Sequence, residues 1–547
     1  VSYDIDEQPD EINFSVGGFD TVNIGASKSL SINEAKFQIS ANYQRYGDDP
    51  NRVVKRDLQT TLDEALNTSA SHAPGRLNKS FESFAIKAKM QWNSLSVYFN
   101  GLDGVRGFGS GVAQALDPYE QSDHQLHIAG LDYNLSSLLG NTALKGELVI
   151  SAWYNYQKAN FPLTVLPVGA ILPIGSDGNL NFIEPTTITT FTDGYIGQPA
   201  YKTERYHLNI KYLFYVSDEH QLRWELGYEK QNYMAFEKKN FGPGILDGTE
   251  TIVDGTLTDV THTPYVYMPP NQRDFVFASL QDQWQISDSS LLNLGARFDN
   301  YSDSGSTFNP RVGLNWKATD KLTIRLFGGS AFRAPTFVDL YAQNNPVLSG
   351  NSEIKPEEII TYELSGGYQF TNNLRSVITI FSYDGKSLID SAIDPVSGIN
   401  IAQNVGKQEA VGLEWEFQWR PFNNVDISSN YSYTDSDDGK NNSTKDSAKQ
   451  LAAVVINWQA TERIQINIAS NWVMDRERPE GDTRPPLKDY AMVTAKFAYL
   501  ALVKGLDVSI GVNNLLDDDI RFPSDGNIPD DFPQAGRQWL AEAVYHF

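Results

Sequence analysis

The chain has 547 residues, no cysteine and a formal net charge of −24. These values exclude a disulfide framework and a thiolate metal site, and so acidic a surface argues against binding nucleic acid. A mean hydropathy of −0.39, with no apolar run near the ~20 residues of a spanning helix, excludes a helical membrane protein. A membrane β-barrel stays open, because its strands spend every second residue on a polar lumen.

The chain begins at Val1 without an initiator methionine or signal peptide, so upstream processing or truncation is expected. Residues 1–10, "VSYDIDEQPD", precede the first strand-like segment. From "INFSVGG" near residue 12 the period is two, the signal of a strand with unlike faces. "EAKFQISANYQ" puts Ala35, Phe37, Ile39, Ala41 and Tyr43 on one face, and Lys36, Gln38, Ser40, Asn42 and Gln44 on the other. "YHLNIKYLFYV" aligns Tyr206, Leu208, Ile210, Tyr212, Phe214 and Val216. "GLEWEFQWR" sets Leu413, Trp415, Phe417 and Trp419 against Glu414, Glu416, Gln418 and Arg420. The last strand, "GRQWLAEAVYHF", alternates Phe547, Tyr545, Ala543, Ala541 and Trp539 with His546, Val544, Glu542 and Leu540.

One such strand fits a soluble sandwich, but about 22 of them without an intervening helical domain do not. Connections fall into two alternating classes. Short turns lie at Asn93-Ser94, Ser217 to Glu219, Ser287 to Ser289, Ala318 to Asp320, Thr371 to Asn373 and Ala460 to Glu462. Long polar or Gly/Pro-rich stretches cover roughly 48–80, 162–201, 241–271, 338–357 and 517–535. The expected fold is all-β: a 22-stranded antiparallel transmembrane β-barrel over residues 11–547, with short periplasmic turns and long extracellular loops, in a bacterial outer membrane. An even strand count brings the termini together and pairs the last strand with the first, with its aromatics against outer-membrane lipid. A soluble adhesin is a third-ranked rival, which solubility without detergent would favour.

Seven histidines are available: His72, His124, His127, His207, His220, His262 and His546. His124 and His127 resemble a chelating pair, but an odd spacing on a strand sends them to opposite faces. His72 and His262 lie in loops and read as solvated. The acidic runs "TDSDDGKNNSTKD" (Asp435, Asp437, Asp438) and "DDDIRFPSDGNIPDD" (Asp517, Asp518, Asp519, Asp530, Asp531) could bind calcium through carboxylates. Neither has EF-hand spacing, and solvated loops are the plainer reading. "GFGSG" (Gly107, Gly109, Gly111) lacks the strand–helix setting of a dinucleotide site and reads as a flexible loop. No Ser/His/Asp arrangement points to catalysis, so no enzyme and no resident cofactor are expected. The loop 162–201 is unusually apolar, which marks a lid over the mouth or a docking surface, the lid being preferred.

From "SAFRAPTFVDLY" onward the chain resembles the TonB-dependent outer-membrane transporters. The matching residues are Phe332, Arg333, Ala334, Pro335 and Thr336, then Asp339, Leu340 and Tyr341, continuing from Gly350 through Lys355, Pro356 and Glu357 to Glu363 and Gly366. Ser352 replaces the proline usual after the Asn. "GVNNLLDDDI", with Asn514, Leu515 and Asp517, followed by Gly536, Arg537 and Phe547, resembles the family's carboxy-terminal signature. "VSYDIDEQPD" resembles the last plug strand and its hinge into the barrel. Pro335 also has a local reading as the end of a strand.

The resemblance implies an importer of a scarce nutrient, most often a ferric siderophore, that is driven from the inner membrane. It also implies a plug domain inside the barrel, periplasmic TonB reached through that plug, and a small extracellular ligand held between loops and plug. Residues 1–10 supply at most one plug strand, so a plug on a separate or cleaved polypeptide is expected, with truncation as the plain alternative. The rival is a plugless conduit serving a larger secretion assembly. Haem receptors of the family carry a histidine in the loop after this block, and residues 338–357 contain none. Tyr341 could ligate iron but reads as structural. Glu414, Glu416 and Arg420 are expected to line the lumen or anchor the plug. The substrate's identity is not legible.

Overall fold

The computed structural model describes residues 9–547 apart from 112, 137–145, 345–348, 394–399, 439–446, 479–481 and 525. The opening residues 1–8 and part of the first acidic run therefore lie outside the described residues. The wall is a closed antiparallel sheet of 22 strands. Each strand pairs with the next along the chain, and the first, Glu11–Gly17, pairs with the last, Gln538–His546. The seam runs from Glu11 opposite His546 to Gly17 opposite Leu540. The Phe547 amide donates to the Asp10 carbonyl at 3.1 Å, so the strand is held to its final residue. Closure leaves no unpaired edge in the membrane, where an orphaned backbone group is costly.

All six short turns named from the sequence fall at one end of the barrel, and all five long stretches at the other. The long end also carries two brief connections, 18–20 and 302–304. One boundary moves: the strand Tyr195–Tyr215 starts before residue 201, and its 21 residues run about 70 Å at ~3.3 Å per residue. That far exceeds an apolar band ~25 Å tall, so about the upper half of this strand stands above the membrane.

The outer face carries the apolar set. Register places Leu314, Leu326, Leu364, Ile380 and Leu413 side by side on five neighbouring strands. Trp92, Trp284, Trp316, Trp419 and Trp458 sit within a few residues of the short turns and point outward, exposed. Tyr206, Tyr228, Phe298 and Phe308 form the corresponding upper row. Two girdles of amphipathic rings flanking an aliphatic band are what two membrane interfaces select. The lumen face is mostly polar, including Lys87, Asn100, Glu414, Glu416 and Asn430. Arg420 pairs with Asp426 at 2.6 Å.

Because the wall turns its apolar side to lipid, the buried apolar clusters gather at the long-loop end instead. The loop after Asn160 is not a bare flap. Its strands Ala170–Ile174 and Thr187–Phe191 pair, and Ile252–Val253 of a neighbouring loop adds to them in parallel. Leu166, Leu172, Ile174, Phe191 and Tyr195 form a core shared with Leu246 and with Leu62 of the helix Leu58–Leu66. Asp57 caps that helix in a reciprocal box with Thr60. Part of the loop's apolar set is thus spent on the loop layer's own core, while Val168, Phe182, Ile183 and Ile188 stay exposed.

Candidate functional site

Within the lumen, five neighbouring strands build a ladder of flat rings and guanidinium groups just below the loops. Trp153 and His207 face each other across two strands and stack at 4.6 Å with an interplanar angle of 9°. Phe277 stacks on the other side of His207, at 6.0 Å and 24°. Arg205 lies 5.5 Å over Trp153, and Arg297 lies 4.0 Å over Phe277. A guanidinium over a ring face gains from the ring's quadrupole, more so where water is scarce.

Buried carboxylates fix the geometry. Glu229 is 2% exposed. It accepts from Arg205 Nε at 2.7 Å and from Gln231 at 2.7 Å, and lies 3.1 Å from His207 Nδ1. Asp299, 1% exposed, takes Arg297 Nη2 at 2.7 Å and Nε at 2.9 Å. A buried carboxylate without such partners would be strongly unfavourable, so these arginines cannot swing away freely. One glycine makes room: a Cβ on Gly227 would stand 2.2 Å from the Phe277 ring, so only a bare backbone lets the ring lie flat against its neighbour strand.

Above the ladder, Arg273 joins the wall to the "FRAP" block. It pairs with Asp303 at 2.8 Å, donates to the Pro335 carbonyl at 2.9 Å and lies 4.8 Å over Phe337. Phe337 begins the short helix Phe337–Tyr341, which Thr336 and Asp339 cap reciprocally. Arg333 holds Glu357 through two bonds of 2.7 and 2.6 Å and reaches Asp339 at 3.4 Å. The backbone of Lys355 exchanges two hydrogen bonds with the Asn404 side chain, at 2.8 and 2.9 Å. Leu340 is buried with Ile354 and Ala402, and Tyr341 reaches Asp303 at 3.5 Å. Phe332 meets Tyr301 edge-on at 6.0 Å, while Ala334 and Pro356 complete the turns beside them. The block is a clasp that closes the base of the loop 334–356.

The carboxy-terminal block is a second clasp. Asn514 takes a left-handed backbone, φ 48°, and exchanges bonds with the Asp518 backbone at 3.0 Å. Leu515 donates to the Val493 carbonyl, and Asp517 accepts from the Arg537 amide at 2.9 Å. The Gly536 amide donates to Asp49 at 2.8 Å, tying the last long loop to the first.

His124 meets Ser122 at 2.7 Å on the lumen side, and His127 meets Asp103 at 3.1 Å on the outer side, so the odd spacing does separate them. Among the described residues no group of three His, Asp or Glu is placed to hold a metal ion. In the second acidic run, Asp519 pairs with Arg521, Asp530 with Lys55, and Asp531 with both Arg478 and Arg484. Burial would raise the Asp531 carboxyl, but bonds from Arg478 and the Ser524 amide hold it below the usual carboxylate value. Basic side chains thus already compensate three of the run's carboxylates, Asp519, Asp530 and Asp531. One concavity of about 720 Å³ is walled mainly by outward-facing residues such as Tyr43, Phe84, Asp103 and Lys158, outside the lumen.

A closed barrel with two aromatic girdles, a polar lumen and loops gathered at one mouth is an outer-membrane β-barrel. A profile described as "TonB dependent receptor-like, beta-barrel" matches residues 65–515. The chain belongs to that family, and it is an outer-membrane protein. The iron-regulated outer membrane virulence protein of Vibrio cholerae serotype O1 is 26% identical over 48% of this chain and 43% of its own length. The ferric enterobactin receptor of Pseudomonas aeruginosa is 24% identical over 43% of this chain and 36% of its own. The matches thus span less than half of these relatives. Among solved structures, the siderophore receptor PirA of Acinetobacter baumannii superposes with a TM-score of 0.69 at 16% identity, covering 98% of this chain and 80% of that one. The copper transporter OprC gives 0.71 at 12% identity, with coverages of 98% and 80%. At such identities the likeness concerns the fold alone.

Proposed function

We propose that this barrel is the outer-membrane part of a TonB-dependent importer whose substrate is a scarce nutrient of the ferric-siderophore type. The carrying observation is the ladder Arg205–Trp153–His207–Phe277–Arg297, which lines the lumen beneath the loops with ring edges and guanidinium groups. Such a surface favours flat, anionic, electron-rich groups, which iron chelators supply in abundance. The names borne by the relatives, an iron-regulated protein and a ferric enterobactin receptor, support the same class. Substrate docks between the loops and a plug seated in the lumen, periplasmic TonB pulls on the plug, and the substrate passes along the polar wall. No bond is made or broken, so no catalytic residue is assigned.

The plug is carried on a separate or cleaved polypeptide in this reading, anchored to lumen residues such as Glu414 and Glu416. Residues 9–10 would be the end of its hinge. Lys28 holds Asp10 at 2.5 Å and lies 4.6 Å from the Phe547 ring, so the entry to the first strand is fixed at the seam. Native mass spectrometry on the complex extracted from outer membranes tests this directly. A smaller plug-like chain that stays with the barrel is the expected result. A barrel that travels alone or only with unrelated partners would overturn it and favour a conduit.

A further inference from the structure

Below the ladder, one row of the lumen wall reads Arg223, Gln281, Gly295, Arg311 and Gly329 across five adjacent strands. Both lateral neighbours of Arg311 are therefore glycines. A Cβ on Gly295 would stand 2.8 Å from Arg311 Nε, and one on Gly329 would stand 3.2 Å from its Cβ. The guanidinium uses that gap, lying flat over Gly295 to donate from Nη2 to Gln281 Oε1, two strands away, at 2.7 Å.

Gln281 is a neutral partner. Among the described residues no carboxylate pairs with Arg311, whereas Arg297 has Asp299 and Arg223 has Glu225 at 3.3 Å. The three arginines line one cavity of about 440 Å³, together with Glu225 and Asn309. With Arg297 matched by Asp299 and Arg223 by Glu225, Arg311 leaves one uncompensated positive charge in the cavity, in a chain whose net charge is −24. A positive concavity with low-dielectric walls focuses its field on anions. The planar fork of Arg311 is already immobilised and still has unspent donors, which suits an oxyanion held by two oxygens.

We propose that this cavity is an anion-binding station on the lumen wall, which takes a phosphate or carboxylate group of a small solute crossing the barrel. It shares the lumen with the import reading but does not need a siderophore substrate. The test falls on Arg311, which lies outside the ladder, so loss of iron uptake would leave the proposal standing and a failed Arg311 test would leave the import reading standing.

The test is titration calorimetry with inorganic pyrophosphate on detergent-purified protein from native outer membranes, with sucrose as the uncharged control. Saturable pyrophosphate binding that weakens with salt is expected. Arg311→Gln should weaken it about tenfold, and Arg311→Lys by a smaller factor, since lysine offers a point charge without the fork. Asn309→Asp, which leaves the Arg311–Gln281 bond intact, should also weaken it by adding a negative charge to the lining. Heat-modified gel migration confirms that each variant forms a barrel. No saturable binding by the unaltered protein, as when plug carboxylates already fill the cavity, would overturn the proposal. So would equal affinity in folded Arg311→Gln.

Discussion

Arg333 and Glu357 are joined at two points, 2.7 and 2.6 Å, across the strands that flank the loop 334–356. Glu357 also accepts the Ile389 amide at 2.7 Å, so the pair ties a third strand to the same base. Arg333 is about half exposed, which discounts its strength to about 1 kcal/mol. Arg333→Ala should raise proteolytic cutting inside the loop roughly fivefold, with the barrel intact. Glu357→Gln should do the same, and the double variant should add little. Independent, additive effects would show that the clasp is not a unit.

Gly227 and Phe277 make a second exacting contact. Gly227→Ala puts a methyl group where the ring lies, at a cost of about 1–3 kcal/mol from overpacking. The displaced ring would leave both His207 and Arg297 unstacked, changing the fluorescence of Trp153 through its stacked neighbour. Denaturant midpoint and tryptophan emission check this together. An unchanged midpoint with unchanged emission would mean that the wall has more slack than the 2.2 Å approach implies.

The two faces of a strand should respond differently to the same charge. Leu364→Arg, in the middle of the outward aliphatic row, should cost about 2–4 kcal/mol of folding stability in lipid vesicles. Asn430→Arg, whose side chain faces the lumen opposite Glu416, should cost about 0–1 kcal/mol. Equal costs would contradict the inside–outside assignment.

Loops 477–489 and 514–537 are clasped by acid–base pairs that should open in acid. Bonds from Arg484 hold Asp482 down to about 2, and Asp531 also lies below its usual 3.8. Carboxylates with depressed folded values stabilise above the unfolded value and lose that contribution as pH falls through the folded one. Pepsin cutting in these loops should therefore stay slow near pH 4 and rise steeply toward about pH 2. Asp531→Asn should already be cut near pH 4, and no difference between the two would deny the clasp its role.

The strands and the sorting of loops were legible because period two survives in a single sequence. Trp415 and Glu414 declare opposite faces with no partner in view. The ladder was not legible in the same way. Trp153 and His207 meet only because two strands pair in one register, and His207 was simply one of seven histidines. A signal did exist: the lumen positions of these neighbouring strands carry Arg205, Glu225, Glu229, Arg273, Arg297 and Asp299, an unusual density of charge. The apolar loop 162–201 was legible only in part for a related reason, since nothing local tells exposed Ile183 from Leu172, which is buried in a core shared with other loops. The "FRAP" block identified the kind of protein at once, yet its work as a clasp emerged only from Arg333, Glu357 and Asp339 in three dimensions.

The most direct measurement is uptake of radiolabelled iron, supplied as a catecholate or hydroxamate chelate, by iron-starved cells with and without this protein and its energy supply. Saturable, protein-dependent uptake that collapses when the proton gradient is dissipated, and that Arg205→Ala and Arg297→Ala impair, is the predicted result. Flux that continues without the gradient, or uptake that is equal in cells lacking the protein, would contradict an energised importer.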